Sequence, residues 1–423
     1  MKTCLCIDLK SFYASVECVE RGLDPMTANL VVADPERSEK TVCLAVSPAM
    51  KALGVKNRCR VFEIPKGIEY LTAPPRMKKY IDYAAKIYGV YLKYISKEDI
   101  YVYSIDEAFI DVTEYLGYYR LSPKKMAEML MDAVMKEVGV RAACGIGTNL
   151  YLAKIALDIT AKHSEDFIGI LDEESYRLTL WDHTPLTDFW RIGHGTEKKL
   201  NEHGLFTMRD IAQANENTLY RVFGIDAELL IDHAWGREPT EISDIKAYKP
   251  KTNCISSGQV LMRDYTKDEC RLIIREMMDL ICLELAEKDT VTSSVTLYIG
   301  YSNALNSAAA KGTVSFGNPT SSDKEIIPEV ISLYDRITDG DKLMRRVNIT
   351  CGNITADDGT RQISFFDPDP ESDEKNKNLQ KAIAAMKKKY GKNSMLKGMN
   401  LEAAGTTIER NKQIGGHKSG EGA

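Results

Sequence analysis

The sequence lacks long apolar runs, cysteines paired at metal-binding spacing and a histidine cluster. No apolar run reaches the length of a membrane-spanning helix, so we expect no membrane contact. The six histidines are scattered and the ten cysteines include no C-x-x-C pair, which argues against a structural zinc site. Cys4 and Cys6 share one face of a predicted strand and are expected in the core. The N-terminal apolar run carries Asp8 and lacks a signal-peptide pattern, so a cytoplasmic protein with reduced thiols is expected.

Basic charge is also scarce for a protein that would bind nucleic acid. There are 56 Lys and Arg against 61 Asp and Glu, giving a net charge of -5. From residue 375 onward eleven basic residues face three acidic ones, which leaves about -13 on the preceding chain. Binding to phosphates needs local Lys and Arg rather than a basic total. This balance permits contact with DNA but argues against strong unaided affinity.

Two adjacent carboxylates, Asp106 and Glu107, interrupt an otherwise apolar β pattern. The flanking runs, Ile100 to Ile105 and Ala108 to Val112, predict two strands with the acids at the bend between them. At such a bend the alternation of side-chain faces is relaxed, so both acids can point the same way. A solvated turn is the simple alternative, because Asp is a common turn residue.

A third acid, Asp8, ends the strand-like run that begins at Thr3. Residues 1–148 are predicted as strand, helix, strand, strand, helix, strand, which is the split βαβ arrangement. The helices are predicted over Lys79 to Ile95 and over Pro123 to Val138, the second with Ser122 as N-cap. In this topology the first two strands are parallel with the third between them. Asp8 would then meet the acidic bend at one edge of the sheet.

Three clustered carboxylates raise one another's pKa values unless a cation compensates their charge. Mg²⁺ prefers oxygen ligands and leaves positions open for water and phosphates. A pair of such ions can hold the attacking and leaving oxygens of a phosphoryl displacement. This edge therefore predicts a nucleotidyl-transfer site that uses two Mg²⁺ ions.

The segments C-I-D-L-K-S-F-Y-A-S-V-E, from Cys6, and Y-S-I-D-E-A-F-I-D-V-T, from Tyr103, resemble the two catalytic motifs of Y-family translesion DNA polymerases. This group includes bacterial DNA polymerase IV and UmuC. The resemblance implies an α+β right-hand polymerase with a ferredoxin-like palm, small fingers, a helical thumb and a little finger. It also implies error-prone, template-directed DNA synthesis from dNTPs in damage tolerance. The implied catalytic metal ligands are Asp8, Asp106, Glu107 and the Leu9 carbonyl.

The resemblance assigns substrate contacts as well. Tyr13 would be the steric gate whose ring excludes a 2′-hydroxyl, although a core aromatic is the simpler alternative. Lys51 and Lys162 would contact the triphosphate. Lys51 replaces a common Arg and Pro48 a common Tyr, which weakens the expected grip on phosphate. Arg58 lies where a small residue is expected near the template base.

The remaining chain predicts DNA-binding modules. Residues 167–243 read as short helices, and Gly193 and Gly195 resemble a helix-hairpin-helix in which backbone N–H groups approach a phosphate. An earlier pair, Gly145 and Gly147, suggests a dinucleotide loop only superficially, because the third glycine is missing. Residues 251–356 repeat the first topology, with Thr266 and Glu269 as a capping box for a helix to Glu287. We expect this second split βαβ module to bind DNA without catalysis.

Near the C-terminus a short aromatic motif resembles the bacterial sliding-clamp-binding peptide. Its residues are Gln362, Ile363, Phe365 and Phe366, followed by an acidic linker; a frayed strand end is the alternative. Clamp tethering would raise the effective concentration on DNA. The basic tail predicts one helix, Asn378 to Tyr390, and a disordered G-G-H-K-S-G end.

These assignments give the following domain boundaries: palm, 1–10 and 79–166; fingers, 11–78; thumb, 167–243; linker, 244–250; little finger, 251–356; clamp-binding linker, 357–374; basic tail, 375–423. We expect a monomer that binds primed DNA and the sliding clamp, with a regulatory partner of the SOS response as a further candidate. Two other functions stay open. A nucleotidyl cyclase places acids at the same edge, and a non-catalytic DNA-damage factor would tolerate Pro48, Lys51 and Arg58.

Overall fold

The computed structural model describes residues 2–250, 253–359 and 370–420. The chain divides into two compact units: unit 1 is Met1–Tyr248 with Lys418–Ala423, and unit 2 is Lys249–His417. In the described part of the chain, no helix combines the length and apolar character needed to span a membrane.

Unit 1 contains eight strands and twelve α-helices in its described residues. The strands are β1 Cys4–Leu9, β2 Leu30–Val32, β3 Ala45–Val46, β4 Leu71–Ala73, β5 Ile100–Val102, β6 Glu107–Asp111, β7 Ala142–Gly147 and β8 Ile168–Leu171. The helices are α1 Phe12–Val19, α2 Pro48–Ala52, α3 Met77–Tyr91, α4 Thr113–Tyr119, α5 Pro123–Val138, α6 Leu150–Ile155, α7 Glu173–Thr179, α8 His194–Glu202, α9 Met208–Gln213, α10 Glu216–Phe223, α11 Asp226–Ala234 and α12 Ile242–Ala247.

The main sheet of unit 1 has five strands in the order β5-β6-β1-β7-β8. β6 is antiparallel to both β1 and β5, so β1 and β5 are parallel with β6 between them. This confirms the predicted split βαβ topology. β8 extends the sheet by pairing parallel to β7. The expectation of only short helices after residue 167 is therefore wrong for β8, whose buried Ile168 and Leu171 pack into this sheet.

The helix α6 lies directly against the sheet because two glycines of β7 allow it. A Cβ at Gly145 would lie 2.0 Å from the carbonyl oxygen of Ala153, and one at Gly147 would lie 2.2 Å from the Ala153 nitrogen. These glycines therefore serve helix packing, and the superficial dinucleotide-loop interpretation is wrong. The helix α6 is α-helical only to Ile155 and continues as a π-helical turn, Ala156–Thr160.

The caps at both ends of α5 explain why its predicted bounds are correct. The Ser122 hydroxyl accepts a hydrogen bond from the Lys125 N–H at 3.3 Å, and Pro123 occupies the first helical position. Gly139 ends the helix in the left-handed region, with φ of 76°. The buried stripe of α5 includes Met126 and Leu130, as its amphipathic pattern requires.

Unit 2 contains a second sheet and four α-helices in its described residues. The strands are β9 Ile255–Tyr265, β10 Thr290–Tyr301, β11 Ala310–Thr320, β12 Met344–Gly352 and β13 Thr355–Ala356, followed by the hairpin β14 Gln413–Ile414 and β15 His417–Lys418. The helices are α13 Lys267–Glu287, α14 Asp323–Ile337, α15 Pro370–Tyr390 and α16 Thr407–Asn411.

The second sheet has the predicted elements but a different strand order. Its order is β11-β10-β12-β9, so the second and fourth strands are central, whereas the first sheet centres on its first and third. The expectation that unit 2 repeats the first topology is therefore wrong in strand order, although each βαβ pair is still split by one strand. The physical reason is burial. β10 and β12 bury alternate apolar side chains completely, while β9 buries only Leu261 and Tyr265.

The tail from α15 to His417 is part of unit 2. Glu276 of α13, which is 2% exposed, accepts hydrogen bonds from the Asn400 side chain at 2.9 Å and from the Thr406 N–H at 2.7 Å. The hairpin β14-β15 occupies part of the segment expected to be disordered. That expectation is wrong, because β15 pairs with β14 and the Ser419 carbonyl accepts a hydrogen bond from the Lys78 N–H at 2.9 Å.

Candidate active site

The three predicted acids meet at one edge of the first sheet. Asp8 near the end of β1 pairs in register with Glu107 at the start of β6. The Leu9 N–H donates to the Asp106 carbonyl oxygen at 3.0 Å, which fixes the turn between β5 and β6 beside β1. The Ser104 hydroxyl orients Asp106 by donating to its Oδ1 at 2.7 Å. The fold thus places these acids side by side.

The electrostatics of this edge are those of crowded carboxylates. Burial first, and then the neighbouring charges of Asp106 and Glu107, together raise the pKa of Asp8 to about 7. A carboxyl with such a pKa is half protonated near neutrality unless a cation lies beside it. The oxygen ligands here are hard, which suits a divalent cation such as Mg²⁺.

Lys154 of α6 is a member of the site that sequence patterns did not indicate. Its Nζ donates to Glu107 Oε1 and lies 3.2 Å from Asp158 Oδ1, and its side chain is 8% exposed. Within residues 2–250, 253–359 and 370–420 no three Asp, Glu, His or Cys side chains are grouped for a metal ion. Glu107 is turned to Lys154, so the three carboxylates do not form such a group here, although their oxygen donors are of the kind that Mg²⁺ prefers.

Cationic side chains border the acids. Burial lowers the pKa of Lys51, the charge of Asp8 raises it and the nearby charge of Lys162 lowers it. Lys10 also has a lowered pKa, from burial first and then from Lys51. Its Nζ lies 3.5 Å from the centroid of the Phe167 ring. Lys10 therefore belongs with Lys51 and Lys162 among the cations beside the acids. Its position directly after Leu9 in the sequence could have indicated this.

Tyr13 in α1 faces the same edge. Its ring is half-buried and stacks on Tyr80 at a centroid distance of 4.5 Å. Burial raises the pKa of Tyr13, the charge of Asp106 raises it too, and Arg58 lowers it, so its hydroxyl lies near both groups. Arg58 has φ of 59° and an exposed side chain. Pro48 begins α2 behind the Ser47 cap, which explains why a proline fits there.

Comparison with known proteins identifies the family to which this chain is related. Residues 7–158 match the impB/mucB/samB family, and residues 253–365 match the C-terminal domain of that family. A Bacillus subtilis protein named UvrX for UV-damage repair is 31% identical over 99% of this chain and 98% of its own length. DNA polymerase IV 2 of Bacillus subtilis is 29% identical, with 98% of each chain covered.

The chain belongs to the impB/mucB/samB family of Y-family DNA polymerases. A solved Y-family DNA polymerase chimera shares the fold, with a TM-score of 0.64 at 21% identity, covering 84% of this chain and 99% of its own. Y-family nucleotidyl transfer uses divalent metal ions and dNTPs, and the family implies binding of primed DNA. The predicted right-hand polymerase fold is therefore confirmed.

The predicted helix-hairpin-helix of this Y-family polymerase lies at the start of α8. Gly193 is the N-cap of α8 and Gly195 is in its first turn. A Cβ added at either glycine would meet no atom within 4 Å, so their backbone is open to a bulky ligand. The clamp-binding motif at Gln362, Ile363, Phe365 and Phe366 lies outside the described residues.

Proposed function

We propose that this Y-family DNA polymerase performs error-prone translesion synthesis with Asp8, Asp106 and Glu107 as its catalytic carboxylates. The primer 3′-hydroxyl attacks the α-phosphate of a template-paired dNTP, and pyrophosphate leaves. The observation that supports these roles is the register of Asp8 with Glu107 beside the Asp106 turn. We assign no second group of acids to a nuclease site, so we expect no proofreading activity.

In this proposal the three carboxylates and the Leu9 carbonyl would hold two Mg²⁺ ions. Bound Mg²⁺ supplies positive charge for the attacking and leaving oxygens. Ser104 keeps Asp106 oriented, and Lys154 pairs with the charge of Glu107. The chain's own contribution is thus a fixed set of oxygen ligands on two adjacent strands.

Lysine and tyrosine side chains around the carboxylates would select the substrate. Lys51 and Lys162, with Lys10, would bind the triphosphate as point charges. Tyr13 would lie under the incoming sugar and exclude a 2′-hydroxyl. The half-buried ring and its nearness to Asp106 support that role.

DNA contact would combine several weak elements. The open backbone at Gly193 and Gly195 suits a phosphate at the start of α8. Within the cytoplasm, clamp tethering through Gln362, Ile363, Phe365 and Phe366 would compensate for the acidic body of a monomer. A regulatory partner of the SOS response is included in the proposal on the family resemblance alone.

Primer extension with Mg²⁺ and single dNTPs tests the catalytic assignment. Asp106→Ala should abolish template-matched extension, since it removes a carboxylate from the edge. Asp111→Asn is the matched control and should keep extension. Asp111 lies at the other end of β6, where it accepts hydrogen bonds from Thr113 and pairs with Lys2 at 3.5 Å.

Three results would count against the proposal. Equal extension by Asp106→Ala and wild type would remove Asp106 from catalysis. Primer-terminus binding without extension in any variant would favour the non-catalytic damage factor. Cyclic nucleotide made from free triphosphate without primer would favour the cyclase.

A further inference from the structure

The Tyr13 ring is backed by a second aromatic ring that sequence patterns did not single out. Tyr80 of α3 is 0% exposed and stacks on Tyr13 with an interplanar angle of 17°. Offset parallel rings at this distance are in direct van der Waals contact. Any movement of the Tyr13 ring toward α3 therefore pushes against Tyr80.

Tyr80 is itself anchored by a buried carboxylate. Its hydroxyl donates to Glu17 Oε1 at 2.8 Å, and Glu17 is 0% exposed. Tyr13 and Glu17 are four residues apart on α1, so they share one helical face. The stacked ring and the anchoring acid thus come from the same two helices, α1 and α3.

Arginine side chains satisfy the remaining oxygen positions of Glu17. Arg76 donates from Nε to Oε1 at 2.9 Å and from Nη2 to Oε2 at 2.8 Å, and Arg21 also donates to Oε2. Burial would raise the pKa of Glu17, but these hydrogen bonds hold it below its ordinary value. Bidentate, charge-assisted bonds of this kind resist reorientation.

The outer side of Arg76 is closed by the last described residues of the chain. A Cβ at Gly420 would lie 2.8 Å from the Arg76 Cβ, and the Ser419 carbonyl accepts the Lys78 N–H at 2.9 Å. Lys418 pairs with Glu36 at 2.6 Å. Arg76 is therefore packed from both sides.

We infer that Tyr80 is a positioning residue that sets discrimination between deoxyribonucleotides and ribonucleotides by keeping Tyr13 from yielding. This inference rests on the proposed role of Tyr13 at the sugar. A 2′-hydroxyl is rejected only if the ring that it meets cannot move, because a small retreat would relieve the clash. Close-packed interiors transmit such pressure to the next layer, and here the next layer is Tyr80 held by Glu17 and Arg76.

The test compares insertion of dATP and ATP opposite template T by the full chain with Mg²⁺. The ratio of the two kcat/KM values is the readout, because the concentration of active enzyme cancels from it. Tyr80→Leu should lower the discrimination ratio roughly tenfold, the scale at which an apolar pocket distinguishes small groups. Tyr80→Phe keeps the stacked ring but loses the hydrogen bond to Glu17, so it should lower the ratio by no more than about threefold.

A double-mutant cycle identifies the route of the effect. Tyr13→Ala alone should lose discrimination, and adding Tyr80→Leu should change the ratio no further, because Tyr80 acts through Tyr13. If Tyr80→Leu fails to fold, Glu17→Gln takes its place and should lower the ratio in the same direction. An unchanged ratio in the folded variant would overturn the inference.

The outcomes separate this inference from the proposed function. An unchanged ratio in Tyr13→Ala would overturn both the role of Tyr13 and the inference. Lost discrimination in Tyr13→Ala with wild-type discrimination in Tyr80→Leu would overturn the inference alone. A fall in dATP insertion with an unchanged ratio would show a structural role for Tyr80 and would also overturn it.

Discussion

At the scale of single residues, the active-site edge depends on how closely α6 approaches β7. α6 carries Lys154, and its backbone touches the positions where Gly145 and Gly147 lack a side chain. Moving the helix outward would withdraw Lys154 from Glu107. Packing and charge at the site are therefore coupled through two glycines.

Gly145→Ala should destabilise the protein by about 3 kcal/mol or more, because its Cβ would fall on backbone atoms that cannot rotate away. Chemical denaturation of the purified variant measures this loss. Gly89→Ala in α3 is the matched control, since a Cβ there meets nothing within 4 Å. It should stabilise by about 0.5 to 1 kcal/mol. A stable Gly145→Ala variant would contradict the close packing.

At this scale the sequence predicts the acids but not their partners. Asp106 and Glu107 are adjacent in the chain and stand out against an apolar pattern. Lys154 lies 47 residues from Glu107, and Tyr80 lies 63 residues from Glu17. Such pairs are formed by tertiary packing, and no local pattern of charge or hydrophobicity specifies them.

At the scale of secondary structure elements, a ring stack joins α6 and α11, and the histidine of that stack hydrogen-bonds to a carboxylate just after α11. The Tyr151 ring stacks on His233 with centroids 3.9 Å apart, and His233 Nε2 lies 3.0 Å from Glu238 Oε2. Burial would raise the pKa of Glu238, but hydrogen bonds from His233 and Thr240 lower it to about 2. The pair is enclosed, with side-chain exposures of 4% and 7%.

This shift predicts a pH dependence of stability. A carboxyl whose pKa is lower in the folded state stabilises the fold above its unfolded pKa and loses that contribution as the pH falls. The free energy of unfolding of wild type should exceed that of Glu238→Gln by roughly 2 kcal/mol near pH 6. The difference should shrink as the pH falls from about 4.5 toward 2.

Denaturant midpoints of both proteins across this pH range measure the effect. Glu216→Gln serves as a control at a first-turn position of α10, and its difference from wild type should stay within about 0.5 kcal/mol. A wild-type advantage over Glu238→Gln that does not change with pH would contradict the predicted linkage.

Element bounds were predictable where caps specify them. The Ser122 and Thr266 caps mark α5 and α13, and both helices have the predicted bounds. The π-helical turn after Ile155 was not predictable, because it arises where the helix packs on the glycines of the sheet. Strand order in unit 2 likewise follows from how deeply each strand is buried. The alternating pattern within one strand does not show whether that strand is more buried than its neighbours.

At the scale of the whole molecule, the basic tail neutralises acids of unit 2 rather than remaining free. Lys377 lies 2.6 Å from Asp357, and Lys381 lies 2.5 Å from Asp289. Lys397 lies 2.5 Å from Asp279 and 3.0 Å from Asp323. These lysines are engaged within the fold, which reduces the charge available for phosphate contact.

Lys397→Met should destabilise unit 2 by about 2 to 4 kcal/mol, because it leaves two partly buried carboxylates without their cation. Calorimetric unfolding of the full chain measures the shift. Lys412→Met removes an exposed pair with Glu409 and should change stability by no more than about 0.5 kcal/mol. Equal effects of the two substitutions would contradict the tail's structural role.

The chain leaves unit 1 after Tyr248 and returns to it at Lys418. Unit 2 is thus an insertion with two covalent connections to its host, and a single proteolytic nick in one connection leaves the other intact. Removing unit 2 by shortening the chain from its end would also remove Ser419 and Gly420, which cover Arg76. On the role proposed for Tyr80, a shortened polymerase would therefore also select sugars differently from the intact one.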